Sequence, residues 1–246
     1  MTKLWFFRLL PCVLAIAVAS PLTAQEPLVT DRPDFTESAA SVEPGRIQIE
    51  AGTTFESADG LEAWTVGEVL GRIGVSPAIE LRVGVPSYLD VNGAEGFDDA
   101  FLGTKVELPG GSGWGTALLA GTTVPVGDAD VAANEWQPEI VLALARDLSQ
   151  RAGLGFNLGW GRPVVEGERE DEFLASAAVG YDLGDGWGAF GEAFGFATGD
   201  DAGPAFLDAG VTRLVGPDFQ LDARVGAGLF QAAGEWFAGI GFSRRW

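Results

Sequence analysis

Alternation of hydrophobic and polar residues dominates the chain from residue 45 to the C-terminus. It is clearest in residues 46–56, 79–85, 152–160 and 219–229, where one side of each segment is apolar and the other is polar or glycine. A period of two residues is that of a β-strand with two different faces. The apolar face that we expect to contact lipid includes Leu154, Phe156, Leu158, Leu221 and Val225.

Twelve such segments follow one another, separated by clusters of Gly, Pro, Asp and Ser. They begin near Arg46, Glu62, Ile79, Asp98, Trp114, Trp136, Ala152, Glu172, Trp187, Ala205, Phe219 and Trp236. A tilted strand crosses a bilayer with about 9–11 residues, and the segments reach this length. The pattern predicts an all-β fold: a single closed antiparallel transmembrane β-barrel of about 12 strands, an up-and-down meander, over residues 45–246.

Alternation alone also fits a soluble barrel or sandwich whose apolar side points inward. Two further features favour the membrane. Aromatic residues open or close segments, as in the girdles of membrane barrels, at Trp114, Trp160, Tyr181, Trp187 and Phe219. The odd-numbered connections are mostly long and carry 12 acidic residues, whereas the even-numbered ones are short and carry 3. This asymmetry is expected when long loops face outside and tight turns face the periplasm.

Both ends of the chain fit the same location. Lys3 and Arg8 are followed by an apolar stretch from Leu9 to Ala19 and a small residue, Ala24, which predicts a signal peptide over residues 1–24 that is cleaved after Ala24. Residues 25–44 are then expected to form an N-terminal periplasmic tether or partial plug. At the other end, Phe242 and Trp246 are predicted to form the C-terminal assembly signal through which the last strand is read by the barrel assembly machinery.

The amino-acid composition argues against several classes of function. Lys and Arg number 15 against 35 Asp and Glu, a net charge of −20, so the basic surface that nucleic-acid binding requires is missing. The chain has no histidine, and its one cysteine, Cys12, lies in the predicted signal peptide. We therefore expect no enzyme, no catalytic residue, no cofactor and no metal site.

Two other motifs are interpreted as structural. Gly186, Gly188 and Gly191 match the G-x-G-x-x-G pattern, but no helix is predicted after them, as a dinucleotide site would need. The acidic run at residues 166–172 lacks the spacing of an EF-hand and is interpreted as a solvated outer loop.

Residues 30–52 resemble the N-terminal part of a known protein family. The block Asp31, Arg32, Pro33, Asp34 is followed by Pro44-Gly45 and a strand that begins Arg46-Ile47-Gln48. This arrangement resembles the opening of the outer-membrane β-barrel family of putative transporters of the meta-cleavage pathway of phenol degradation. The resemblance implies a barrel and suggests passage of small molecules. For the charged block itself, a tether whose charges pair with the barrel wall or with one another is favoured over a substrate site.

Polar residues on the inner face are the candidate functional set. The predicted lumen lining is Glu50, Glu80, Arg82, Lys105, Glu107, Asp222 and Arg224. Arg72 is less secure, because Trp64, Val66 and Leu70 share its parity. A salt-bridged filling and a narrow polar conduit explain this lining equally well.

The functional hypothesis is an outer-membrane transporter or channel, porin-like, for passive passage of small molecules, with aromatic or amphipathic solutes among the candidates. The expected partners are outer-membrane lipid, the assembly machinery and an unidentified solute, in the cell envelope of a Gram-negative bacterium. Two alternatives stay open: a structural or adhesive barrel without a conduit, and a secreted soluble β-protein that binds a small ligand.

Overall fold

The computed structural model describes residues 27–58, 60–165, 167–199, 201–232 and 234–246, so the predicted signal peptide lies outside the described residues. The strands are β1 (Ile47–Ala58), β2 (Leu61–Val66), β3 (Val69–Ser76), β4 (Ile79–Val85), β5 (Tyr88–Val91), β6 (Ala94–Phe97), β7 (Ala100–Leu108), β8 (Gly115–Val124), β9 (Pro138–Asp147), β10 (Ala152–Gly161), β11 (Val164–Val165), β12 (Glu168–Arg169), β13 (Glu172–Gly184), β14 (Trp187–Thr198), β15 (Asp201–Leu214), β16 (Phe219–Leu229) and β17 (Trp236–Arg245). Phe230–Ala232 form a turn of 3-10 helix. No helix of the described residues is long and apolar enough to span a membrane.

The strands close into one antiparallel barrel with meander order, which confirms the predicted fold class. Neighbours along the chain pair with one another, and β17 returns to pair with β1 from Gln48 opposite Arg245 to Ser57 opposite Trp236. Three of the 12 barrel strands consist of two segments each: β2 with β3, β4 with β5, and β6 with β7.

The interruption between β2 and β3 resolves the uncertain parity of Arg72. The backbone N–H groups of Gly67 and Glu68 both donate to the carbonyl of Gly52, so two residues of one strand face one of the other, a β-bulge. Gly67 has a φ of 77°, which glycine adopts without steric cost. The extra residue reverses the alternation, so Val66 points outward while Arg72 is 0% exposed inside the barrel.

The outer surface is an apolar band. On β4 the residues Ile79, Leu81, Val83 and Val85 are exposed and alternate with buried Glu80 and Arg82. Leu158 on β10 and Val225 on β16 are 58% and 57% exposed. A lipid-facing band of this kind replaces the apolar core of a soluble protein.

Several connections contain more strand than the alternation predicted. Residues 88–97, part of the connection before the segment predicted to begin near Asp98, form the β5–β6 hairpin, which turns at Asn92 and Gly93 with positive φ. Residues 163–171 contain the β11–β12 hairpin. The tenth barrel strand begins at Asp201 rather than near Ala205, because β15 keeps pairing with β14 beyond a register shift near Gly195.

Residues 27–46 run inside the barrel. The segment starts at the end with the short turns, where the N–H of Leu28 donates to the carbonyl of Pro217. It returns to the same end, where the N–H of Gly45 donates to the carbonyl of Gly74. Between these points it contacts inward side chains of strands all around the wall, such as Asn157 on β10. By the loop asymmetry, this is the periplasmic end.

The orientation of β10 generates a test of which face meets lipid. Leu158→Arg places a charge among lipid-facing residues and should lower the free energy of unfolding by about 2–4 kcal/mol if the position lies near the bilayer midplane. Gly153→Arg on the same strand is the control, because position 153 faces the inner side and a Cβ there would meet no atom within 4 Å. Urea unfolding in lipid vesicles measures both variants, and equal losses would contradict the assigned faces.

Candidate functional site

The carboxylate of Asp31 is the centre of a buried ion network in the lumen. It lies 3.2 Å from Arg72, 2.6 Å from Arg82 and 2.9 Å from Lys105, which project from β3, β4 and β7. Ser38 donates to it through both its backbone N–H and its hydroxyl. Burial opposes ionisation, but the three cations hold the pKa of Asp31 well below its usual range.

Carboxylates of the wall compensate the same cations. Arg72 also pairs with Glu50 at 2.7 Å and with Glu80 at 2.9 Å. Arg82 reaches Glu37 of the N-terminal segment at 2.9 Å. Each of the three buried cations therefore has an opposite partner, which offsets the cost of removing it from water.

Arg32 points to another part of the wall. Its guanidinium lies 3.3 Å from Glu68 and 3.3 Å from Asp222. Gly52 and Gly241 make room for it, since a Cβ at either position would lie within 2.5 Å of the guanidinium. The bulge that exposes Glu68 to the lumen thus also provides a partner for Arg32.

The wall also satisfies the backbone of residues 27–46, which has no secondary structure of its own. Glu50 accepts the N–H groups of Asp31 and Arg32, and Glu192 on β14 accepts those of Phe35 and Thr36 at 2.7 Å each. Three further wall side chains accept backbone N–H groups of the segment: Glu80 accepts that of Val42, Glu107 that of Ser41 and Asn157 that of Glu37. Buried backbone donors need such partners.

The opposite side of the lumen is aromatic. The ring of Phe35 stacks on Phe194 with centroids 4.5 Å apart, and Phe194 stacks on Phe206 at 5.1 Å. Phe237 lies beside this stack, with the guanidinium of Arg224 over its ring at 5.1 Å.

Two of the cavities on this aromatic side lie one above and one below the N-terminal segment. The outer cavity has a volume of about 460 Å³ and is lined by Phe35, Phe194, Phe206, Phe237 and Arg224, among others. It also contacts Glu56, Glu172 and Pro204 at the ends of strands that carry the long loops. The inner cavity, about 360 Å³, is lined by Asp34, Phe190 and residues near the periplasmic turn at Gly186. Asp34 therefore lines the inner cavity, and the next residue, Phe35, lines the outer cavity.

The predicted lumen residues divide between the two sides. The structure brings Glu50, Glu80, Arg82 and Lys105 together around Asp31. Glu107 is not part of this network and accepts the backbone N–H of Ser41. Asp222 pairs with Arg32, whereas Arg224 lines the outer cavity. Their role as a conduit lining stays a prediction. Pro33 is buried, and Phe242 and Trp246 are exposed on the outer surface, where their reading by the assembly machinery stays a prediction too.

Sequence reasoning missed the polar residues of β10, β13, β14 and β15 that face the segment: Asn157, Ser176, Glu192 and Asp208. One signal for Glu192 was present, since it is the charged member of a run in which Phe190, Phe194 and Phe196 share its parity. The structure contains no group of three His, Cys, Asp or Glu residues arranged to hold a metal ion within its described part.

The Asp31 network can be tested by a double-mutant cycle. Asp31→Asn leaves three buried cations undercompensated and should cost about 3–5 kcal/mol of unfolding free energy. In the double variant with Lys105→Met the cost should be clearly less than the sum of the single costs, because the two groups interact directly at 2.9 Å. Additive losses would contradict the direct ion pair.

The same network predicts a pH dependence. The pKa of Asp31 is lower in the folded than in the unfolded protein, so its stabilisation is complete above the ordinary value of 3.8 and is lost as the pH falls below it. Unfolding followed from pH 7 to pH 2 should show this loss in the native chain. In Asp31→Asn this part of the pH dependence should be absent.

The fold is that of solved outer-membrane channels. The COG4313 outer membrane channel from Pseudomonas putida F1 superposes with a TM-score of 0.66 and 11% identity, covering 85% of this chain and 98% of that one. The NanC porin gives a TM-score of 0.60 with 10% identity over 80% of this chain and 98% of its own. The KdgM porin in complex with disordered oligogalacturonate also gives a TM-score of 0.60, with 6% identity, covering 80% of this chain and 98% of that one. At these identities the likeness shows the fold.

Family membership comes from the sequence profile. No curated protein sequence matches the chain. The profile of the family described as "Putative MetA-pathway of phenol degradation" matches residues 30–246, which include the Asp31–Asp34 block and every barrel strand. The chain therefore belongs to this family of β-barrels and is a protein of the bacterial outer membrane.

Proposed function

We propose that the protein is a passive conduit for small aromatic or amphipathic molecules, in which residues 34–36 form the constriction. The observation that carries the proposal is the pair of cavities on the aromatic side of the lumen, one above and one below the N-terminal segment, separated by Asp34 and Phe35. A solute that passes these residues would travel from the outer cavity to the periplasmic end along β13–β16.

The chemistry of the outer cavity supports this class of solute. Phenyl rings line much of its wall, and aromatic rings stack on one another with favourable geometry. Arg224, Glu56 and Glu172 add polar groups with which a hydroxyl or another polar substituent could form hydrogen bonds. Apolar walls with a few convergent polar groups are typical of small-molecule sites.

The constriction is attached to the wall without the ion pairs that hold Asp31. Asp31 has three cationic partners, whereas residues 34–36 are attached through the hydrogen bonds of Phe35 and Thr36 to Glu192 and of Thr36 to Ser176. A shift of these residues would join the two cavities without breaking the Asp31 network.

The alternative is a structural barrel without a conduit. The Asp31 network favours it, because a salt-bridged filling stabilises the wall whether or not a solute passes. The experiment below separates the two functions.

A disulfide between the N-terminal segment and the wall tests the conduit. The hydroxyl oxygens of Thr36 and Ser176 lie 2.7 Å apart, close enough for cysteines at both positions to bridge. The chain's only cysteine lies in the predicted signal peptide, so the pair would form without competition. Thr36→Cys/Ser176→Cys should lower the conductance of planar bilayers and the uptake of phenol into liposomes, and a reductant should restore both.

Each single-cysteine variant is the control and should not respond to the reductant. If the oxidised and reduced double variant conduct equally, the constriction is not at residues 34–36. If the native barrel carries no current and excludes phenol, the structural alternative holds.

A further inference from the structure

An acidic group without a cationic partner lies at the constriction. Asp208 on β15 faces the lumen, is 6% exposed, and neither of its carboxylate oxygens accepts a hydrogen bond from a donor of the described residues. It pairs in register with Glu192 on β14, whose oxygens are committed to Phe35 and Thr36. Buried carboxylates ordinarily have donors or cations around them, so Asp208 is an exception that calls for a partner.

Asp34 adds a third carboxylate from the N-terminal segment. Burial raises the pKa of Asp34, and the nearby charges of Glu192 and Asp208 raise it further. Within the described residues no Lys or Arg forms an ion pair with any of these three groups, in contrast to Asp31. The two sides of the lumen therefore differ: on the β3–β7 side the charged groups form ion pairs, whereas on the β14–β15 side three carboxyl groups lie together and a cationic neighbour there, Arg224, is beyond ion-pair distance of Asp208.

Aromatic rings border the same carboxylates. Phe194 and Phe206 lie two positions beyond Glu192 and Asp208 on the inner face of the same strands, toward the outer cavity. Rings of this kind attract cations through their faces, as Arg224 over Phe237 already shows in this lumen. Carboxylates next to phenyl rings match a ligand with a positive nitrogen and an apolar body.

We propose that Asp208, with Asp34 and Glu192, forms a binding site for an organic ammonium ion at the constriction. The proposal rests on the conduit and specifies a solute class for it: the ammonium group pairs with the carboxylates while its apolar body contacts the phenylalanine rings. The acidic outer loops act in the same direction, because a negative mouth raises the local concentration of cations.

Binding can be measured without any current. Benzylammonium should raise the unfolding temperature of the full-length barrel in detergent, because a ligand that binds the folded state stabilises it. Benzyl alcohol, which has the same ring but no charge, should raise it much less. In Asp208→Asn most of the benzylammonium shift should be lost, and this variant should fold because it removes a charge that has no ion-pair partner.

Glu107→Gln is the matched control. It removes one inner carboxylate on the β7 side, where Glu107 contacts Ser41, and should keep the full benzylammonium shift. Equal shifts with the two ligands, or an unchanged shift in Asp208→Asn, would overturn the ammonium site.

Bilayer currents distinguish this failure from failure of the conduit. In a KCl gradient the native barrel should favour K⁺ over Cl⁻, and Asp208→Asn should reduce this preference more than Glu107→Gln does. A barrel that conducts with unchanged selectivity in Asp208→Asn refutes the ammonium site alone. A silent barrel refutes the conduit, while the temperature shift still decides whether the ammonium ion binds.

Discussion

The contact between the Asp31 carboxylate and three cations of the wall determines how the inside of the barrel is organised. Arg72, Arg82 and Lys105 come from neighbouring strands and would repel one another in an empty lumen, where water would have to solvate them. With Asp31 among them, the cations become the anchor of residues 27–46. The wall and the N-terminal segment therefore stabilise each other, since both ion-pair partners of Lys105 in the described part of the chain, Asp31 and Glu37, belong to the segment.

The Asp31 network makes the two sides of the lumen structurally different. On the β3–β7 side, paired charges join the segment to the wall, and the cavities there have volumes of about 290 and 250 Å³. On the β13–β15 side, phenylalanine rings line larger cavities above and below the segment, and residues 35 and 36 are attached to Glu192 through hydrogen bonds rather than ion pairs. The proposed conduit uses this difference, because the segment can stay fixed by its ion pairs while residues 34–36 move.

Alternation in the sequence was enough to predict the strand number, the meander and the closed barrel, because lipid on one side and polar residues on the other impose a period of two. It failed where the inner face is itself apolar. On β14 the phenylalanines point inward and Ala189, Ala193 and Ala197 share the other face, so an apolar-out rule assigns the wrong side. The bulge at Gly67 is a second cause of failure: it reverses the alternation, so the sequence left uncertain which face of the strand Arg72 is on. Contacts such as Arg32 to Asp222 join residues far apart in the chain, and no local pattern encodes them.

The order of residues in the Asp31–Asp34 block follows from where the segment lies. Carboxylates of the wall that accept backbone N–H groups would accept those of almost any residue, so they hold the segment without fixing its register. Register must come from side chains, and Asp31 and Arg32 supply it with opposite charges for different parts of the wall. Exchanging the two would place a cation among Arg72, Arg82 and Lys105 and a carboxylate beside Glu68 and Asp222. The sign and order of these two residues therefore determine which part of the segment reaches the constriction.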